Sequence, residues 1–338
     1  MKKIACLGEF LLRMSPELPA TWMQKATMPV YLGGAEFNVA AALSHWQHPV
    51  KYISALPENS MADDVLQEMQ RMGIDTSAMQ RSGNRIGIYF LPQGADLKNA
   101  GVIYDRAGSS FAILQPGSID WKNLLSDCEL FHFSAISPAL NATAARVCKE
   151  AVEAAAELGL TISVDLNYRN KLWKYGTAPK EVMPELIKHC SIVMGNIWSA
   201  AELLGAPLDN ALIASKTKAA YLQQATITAA YIRELAPSCS WVANTFRFDQ
   251  QEGIQYYATL DTRESQLVSK EWKVQYIIDR VGSGDCFMAG LLHSWVHQSD
   301  IAAAVNLAAA AAVGKLQEKG DFTRQTLDSI HQKIAQHG

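Results

Sequence analysis

Little in this chain of 338 residues points outward. Its six cysteines, at positions 6, 128, 148, 190, 239 and 286, are scattered and never form Cys-x-x-Cys. That pattern excludes a disulfide framework or a thiolate zinc site and makes a reducing cytoplasm the expected compartment. No apolar run reaches the length needed to span a bilayer. The longest, Ile301 to Val313, is rich in alanine, interrupted by Asn306, and reads as a packed helix. The apolar stretch near the start, Ile4 to Gly8, is too short for a signal-peptide core and reads as a first buried strand. A formal net charge of −3 leaves no basic footprint, so neither nucleic acid nor a membrane is an expected partner. There is no Gly-x-x-x-x-Gly-Lys-Ser/Thr, which argues against a P-loop enzyme, and no Gly-x-Gly-x-x-Gly after the first strand, which argues against a nicotinamide-linked oxidoreductase. His293 and His297 lie one helical turn apart, but without the Glu of His-Glu-x-x-His or a third ligand they are not read as a metal site.

What is present supports a large core. Apolar residues make up 49% of the chain and charged residues 19%, which places it among globular domains rather than disordered chains. Strands and helices alternate. Strands are expected at 4–8, 51–55, 129–133, 161–165, 191–194 and 240–244, and helices at 36–45, 62–72 and about 142–158. Further helices are expected around 199–204, within 211–235, and from near Asp285, Asp300 and Thr323. Gly73 and Gly159 stand where C′ glycines end helices. Such alternation implies an α/β fold with a doubly wound, mainly parallel sheet and helices on both faces. Residues 10–32 and 84–107 break the rhythm with period-two patterns, and are expected to form a small antiparallel sheet beside the main domain.

The most informative stretch runs from Asp279 to Gly290. Gly282-Ser283-Gly284-Asp285 precedes an apolar helical run. Such a turn leaves backbone N–H groups free at a helix N-terminus, where an anion is held. Asp285 sits in the same turn, placed to take a proton from whatever attacks that anion. An ordinary turn with an Asp N-cap has the same four letters. Cys286 adjoins the Asp at the helix start, where thiol pKa tends to fall. The strand 161–165 ends in Asp165-Leu-Asn167-Tyr-Arg169, past the carboxyl end, where open α/β sheets bind ligands.

The longer string Asp279-Arg-Val-Gly282-Ser-Gly284-Asp285 resembles the second signature of the ribokinase-like (PfkB) carbohydrate kinases, whose core reads Asp-Thr-Val-Gly-Ala-Gly-Asp. Gly33-Gly34-Ala-Glu-Phe-Asn38 resembles that family's sugar-contacting segment, and Asp165–Arg169 another of its elements. Tyr89, Tyr104, Arg106 and Arg169 together resemble the branch acting on 2-keto-3-deoxygluconate, since an acidic sugar calls for arginine.

The resemblance implies a ribokinase-like domain over residues 1–338 with a small β lid from about 10–32 and 84–107. It implies ATP and Mg2+, with Asp285 as base and Gly282 and Gly284 shaping its loop. Substrate contacts would be Gly34, Asn38, Tyr89, Tyr104, Arg106, Arg169 and Asp285. Nucleotide contacts would be Asn167, Arg169, Asn196, Arg247, Gly282, Ser283 and Gly284. It further implies a small-molecule sugar-acid substrate. The exposed edge of the small sheet invites pairing with a second subunit, so a homo-oligomer formed through the lid is expected.

Two departures stand out. The family's Asn-x-x-Glu, whose Glu helps seat magnesium, is Asn196-Ile-Trp-Ser199 here, so no metal position is assigned. The expected nucleotide loop after the next strand lacks Gly-x-x-Gly and contains Arg247 instead. A fructokinase-like enzyme and a silent sugar-acid sensor remain as alternatives, and the sugar-acid epimer is left open.

Overall fold

The computed structural model describes residues 2–16, 27–92 and 101–337. A ten-stranded sheet organises them. Its strands run, from one edge to the other, Gln266–Val268, Ile254–Asp261, Trp241–Asp249, Ile192–Gly195, Thr161–Asp165, Cys128–Ser134, Lys3–Leu7, Val50–Ile53 and Ile74–Asp75. Trp272–Val274 also pairs with Ile254–Asp261. Neighbours from Trp241–Asp249 to Ile74–Asp75 are parallel, and the pairs beyond Trp241–Asp249 are antiparallel.

A parallel sheet needs helices on both faces because its crossovers lie there. Side chains along Lys3–Leu7 show the consequence. Ile4 and Cys6 enter one apolar core with the helices Ala35–His45, Ser283–Val296 and Ile301–Lys315. Ala5 and Leu7 enter the opposite core with Ala142–Glu157 and Lys218–Leu235. Period-two alternation therefore feeds two cores, so the strand reads as continuously apolar.

Local signals set several boundaries as expected. The Asn141 side chain accepts from the Ala144 N–H at the start of Ala142–Glu157. That helix ends where Gly159 takes φ +70°, with Gly159 and Leu160 N–H groups donating to Ala156 and Ala155 carbonyls. Three boundaries differ. The helix expected within 211–235 is two, Asn210–Ser215 and Lys218–Leu235, because Lys216 turns left-handed at φ +51° and Thr217 recaps the chain. The last helix starts at Leu327, capped by Thr326, while the Thr323 hydroxyl is committed to Glu318. The strand expected at 240–244 continues to Asp249 and hairpins onto Ile254–Asp261, because Phe246 and Phe248 pack with Tyr257. The nucleotide loop expected across 244–253 is thus mostly strand.

A second sheet of four strands has the order Val30–Gly33, Leu11–Met14, Gly87–Phe90 and Ile103–Asp105. It was expected to be antiparallel throughout, but Leu11–Met14 and Gly87–Phe90 pair in parallel. The long segment between them, which builds part of the main sheet, supplies the crossover that parallel pairing requires. Residues 17–26 and 93–100 of the two stretches expected to form this sheet lie outside the described residues. Arg13, fully buried on Leu11–Met14, ties the small sheet to the main body through Asp279 at 2.5 Å and Asp321 at 2.8 Å.

Candidate active site

A cleft of about 710 Å³ opens between the carboxyl ends of the parallel strands and the small sheet. Every site residue expected from the sequence lines it: Gly34, Asn38, Tyr89, Tyr104, Arg106, Asn167, Arg169, Asn196, Arg247, Gly282, Ser283, Gly284 and Asp285. Strand ends and helix starts meet there, as the crevice rule for open α/β sheets requires.

The centre is the start of the helix Ser283–Val296. Gly282 is its N-cap at φ +78°, and a Cβ there would meet the Asp321 carbonyl oxygen at 1.6 Å. Only glycine fits that turn. Asp285 is therefore not the cap; it lies in the first turn, whose N–H groups have no partner within the helix. Among the described residues no acceptor meets the N–H groups of Ser283, Gly284 or Asp285. The Ser283 hydroxyl turns away and donates to the Ala312 carbonyl, so Ser283 offers only its backbone.

Asp285 is buried, and the Asn38 amide donates to its Oδ2 at 2.6 Å. Burial pushes its carboxyl up to about 7, while the Asn38 bond and the Arg169 charge pull the other way. Asn38 thus holds the candidate base as well as facing the cleft, and its Oδ1 is buried without a hydrogen-bond partner among the described residues. Asn38 reaches this place because Gly34, at φ +123°, starts its helix against the Glu9 carbonyl, which a Cβ would meet at 2.4 Å.

On the small-sheet side two of the expected cleft residues also have partners within the protein. Tyr89 turns its hydroxyl to Asp321, a buried acceptor, rather than presenting it free. Arg106 has its Nε on Glu9 at 2.6 Å, both residues being buried, and Ser109 also donates to Glu9. The remaining donors of the guanidinium have no bond among the described residues. Tyr104 tilts against Tyr89 at 6.5 Å and lies under Arg106.

Toward the other end of the cleft, Asn196 and Ser199 form a reciprocal capping box on the helix Ile197–Leu204. Ser199 is therefore a cap, and the carboxylate missing at that position appears one turn later. Glu202 lines the cleft, as does Asp165 at the end of its strand. Arg280, not singled out from the sequence, also lines the cleft and pairs with Asp249 at 2.8 Å. Its place in the motif, where the family has Thr, was the available signal. Glu9 was missed as well, although it stands just past the carboxyl end of the first strand. Arg106, Arg169, Arg247 and Arg280 line the cleft together with Asp165, Glu202 and Asp285, an electrostatic balance suited to anions.

Cys286 is corrected outright. Its thiol is buried, donates to the Ala311 carbonyl on the side away from the cleft, and burial pushes it up, not down. The helix start lowers a thiol only where the charge it favours is not also desolvated.

Known proteins match this chain over nearly its whole length. The family model described as pfkB family carbohydrate kinase matches residues 1–326. A 2-dehydro-3-deoxygalactonokinase of Haloferax volcanii is 25% identical over 336 residues, covering 98% of this chain and 96% of the relative. A 2-dehydro-3-deoxygluconokinase of Dickeya dadantii is 23% identical over 299 residues, 86% of this chain and 87% of the relative. Among solved structures, a 2-dehydro-3-deoxygluconokinase of Thermotoga maritima superposes with a TM-score of 0.89 at 29% identity, covering 99% of this chain and 100% of that one. With this match and this fold, the chain belongs to the pfkB family of carbohydrate kinases, and the sheet architecture is ribokinase-like.

Proposed function

We propose that this kinase transfers the γ-phosphoryl group of ATP to the terminal hydroxyl of 2-keto-3-deoxy-D-gluconate. The observation that carries the proposal is Asp285: a buried carboxyl near neutral pKa, held by Asn38, in the same turn as open backbone N–H groups. In its ionised form Asp285 takes the proton of the attacking hydroxyl, and that oxygen bonds the γ-phosphorus as ADP leaves. Donors of the Gly282–Asp285 turn receive the charge that builds on the phosphoryl oxygens. Asn196 and Arg247, with Asn167 and Arg169, line the side assigned to the nucleotide. The free donors of Arg106, with Arg169, receive the sugar carboxylate beside Tyr104.

Magnesium fits the oxygen donors of this cleft, and Asp165 and Glu202 would hold it, in part through water. When bound it neutralises phosphate charge. Self-association through the small sheet is part of the same reading, supported by Val30 and Ile103, each half exposed on its strands. Light scattering on the purified chain, alone and with both residues changed to Lys, tests it; a monomer in both overturns it.

The commitment of Arg106 to Glu9 favours one alternative, a neutral-sugar kinase of the fructokinase type. ADP release over the gluconate- and galactonate-derived keto-acids, fructose and ribose separates the two. A keto-acid is expected to win by at least about tenfold in kcat/KM, since a charged partner is at stake. Faster turnover of a neutral sugar overturns the acid reading.

A further inference from the structure

The catalytic helix has a second cluster at its other end. His293 and His297, one turn apart on Ser283–Val296, are joined by His48 from the turn after Ala35–His45. The sequence offered only the helical pair; the fold brings the third ring. His48 Nε2 lies 2.8 Å from His293 Nδ1, and ring centroids are 4.5 Å apart for His293–His297 and 5.3 Å for His48–His297. Ligand atoms of all three lie within 4.8 Å of one another.

This convergence is fixed by backbone geometry. Gln47 turns left-handed at φ +67°, and the His48 N–H donates to the Leu43 carbonyl while Gln47 donates to Ser44. This is a Schellman closure, which pins His48 rather than leaving it on a loose loop. The catalytic helix ends the same way, with Gln298 at φ +50° and the Ser299 N–H on the Ser294 carbonyl. Two helices thus finish side by side, each with imidazoles at its end.

We propose that His48, His293 and His297 form a binding site for a divalent transition metal of the zinc class, separate from the phosphoryl-transfer cleft. Imidazole nitrogens suit zinc, copper and nickel and do not suit magnesium. Zn–N bonds of about 2.0–2.1 Å in a tetrahedral site set nitrogens ~3.4 Å apart. Binding therefore parts His48 from His293 slightly and draws His297 in. The proton shared between Nε2 and Nδ1 moves to the far nitrogen of the ring that carried it. Water completes the fourth position. Buried cysteines offer the metal no competing thiolate among the described residues. Because Asn38 and Asp285 sit at the near ends of these same helices, occupancy ties together the far ends of the pair that builds the base.

The test is calorimetric titration of the full chain with Zn2+ and, in parallel, Mg2+, with visible absorption of the Co2+-loaded protein. One Zn2+ per chain, a raised Tm and the intense bands of a low-coordinate Co2+ site are expected. His297 is exposed, so His297→Ala keeps the fold and is expected to weaken Zn2+ at least about tenfold and bleach the Co2+ bands. Equal Zn2+ affinity in wild type and His297→Ala, or full displacement of Zn2+ by Mg2+, overturns the proposal.

Discussion

The two walls of the cleft are built on opposite terms. On the main-sheet wall, among the described residues, the polar groups are left wanting: open N–H groups at 283–285, an unpartnered Asn38 Oδ1, and a carboxyl whose charge is disfavoured by burial. On the small-sheet wall they are matched internally: Arg106 with Glu9, Tyr89 with Asp321, and Arg13 with Asp279 and Asp321. An unsatisfied buried group costs about 1–3 kcal/mol, so such groups persist where a ligand completes them. Matched groups instead fix shape. On the proposed function, the first wall would serve the chemistry and the second would hold the substrate in place.

Substitutions on each wall test that contrast. The largest effect short of removing the base is expected at Gly282→Ala. A Cβ cannot coexist with the Asp321 carbonyl at 1.6 Å, so the turn must shift. A displacement of about 1 Å in a reacting group costs roughly a hundredfold, and steady-state kcat should fall at least that far. Next is Arg106→Ala, expected to raise KM for the keto-acid at least about tenfold while leaving kcat nearer wild type. It also strands Glu9, so a lowered Tm should accompany it, because breaking a buried pair costs about 3–5 kcal/mol. Equal KM shifts for acidic and neutral sugars would erase the distinction between the walls.

Asn38→Ala should act more subtly. The Asn38 bond pulls the Asp285 carboxyl down, so removing it drives that group further up. As the proposed base, Asp285 would work ionised; activity in wild type should therefore fall as pH drops through about 7, and in the variant the fall should begin at higher pH. A pH profile of kcat/KM reads this directly. The smallest effect belongs to Cys286: alkylation of the native enzyme should leave it unmodified and activity unchanged, with modification traced by peptide mass.

Most of the sheet and the central turn were legible in the sequence, because both depend on neighbours along the chain. Period-two alternation and the C′ glycine Gly159 are local signals, and they placed their elements well. What was not legible arises between distant residues. Asn38 and Asp285 are 247 positions apart, and nothing nearby announces that one amide will hold the other's carboxylate. Glu9 meets Arg106 across 97 positions. The parallel pair in the small sheet and the third histidine beside His293 are equally non-local. Lys216 shows the converse: a single left-handed residue broke a helix whose composition was favourable throughout.

The central claim is that Asp285 is the base on the chemistry-bearing wall. Its most direct test is Asp285→Asn, with kcat for the keto-acid measured beside the equilibrium affinity for the same substrate. We expect kcat to drop by at least about two orders of magnitude, as for loss of a positioned base, with affinity kept within a fewfold. Near-normal turnover in that variant would contradict the account.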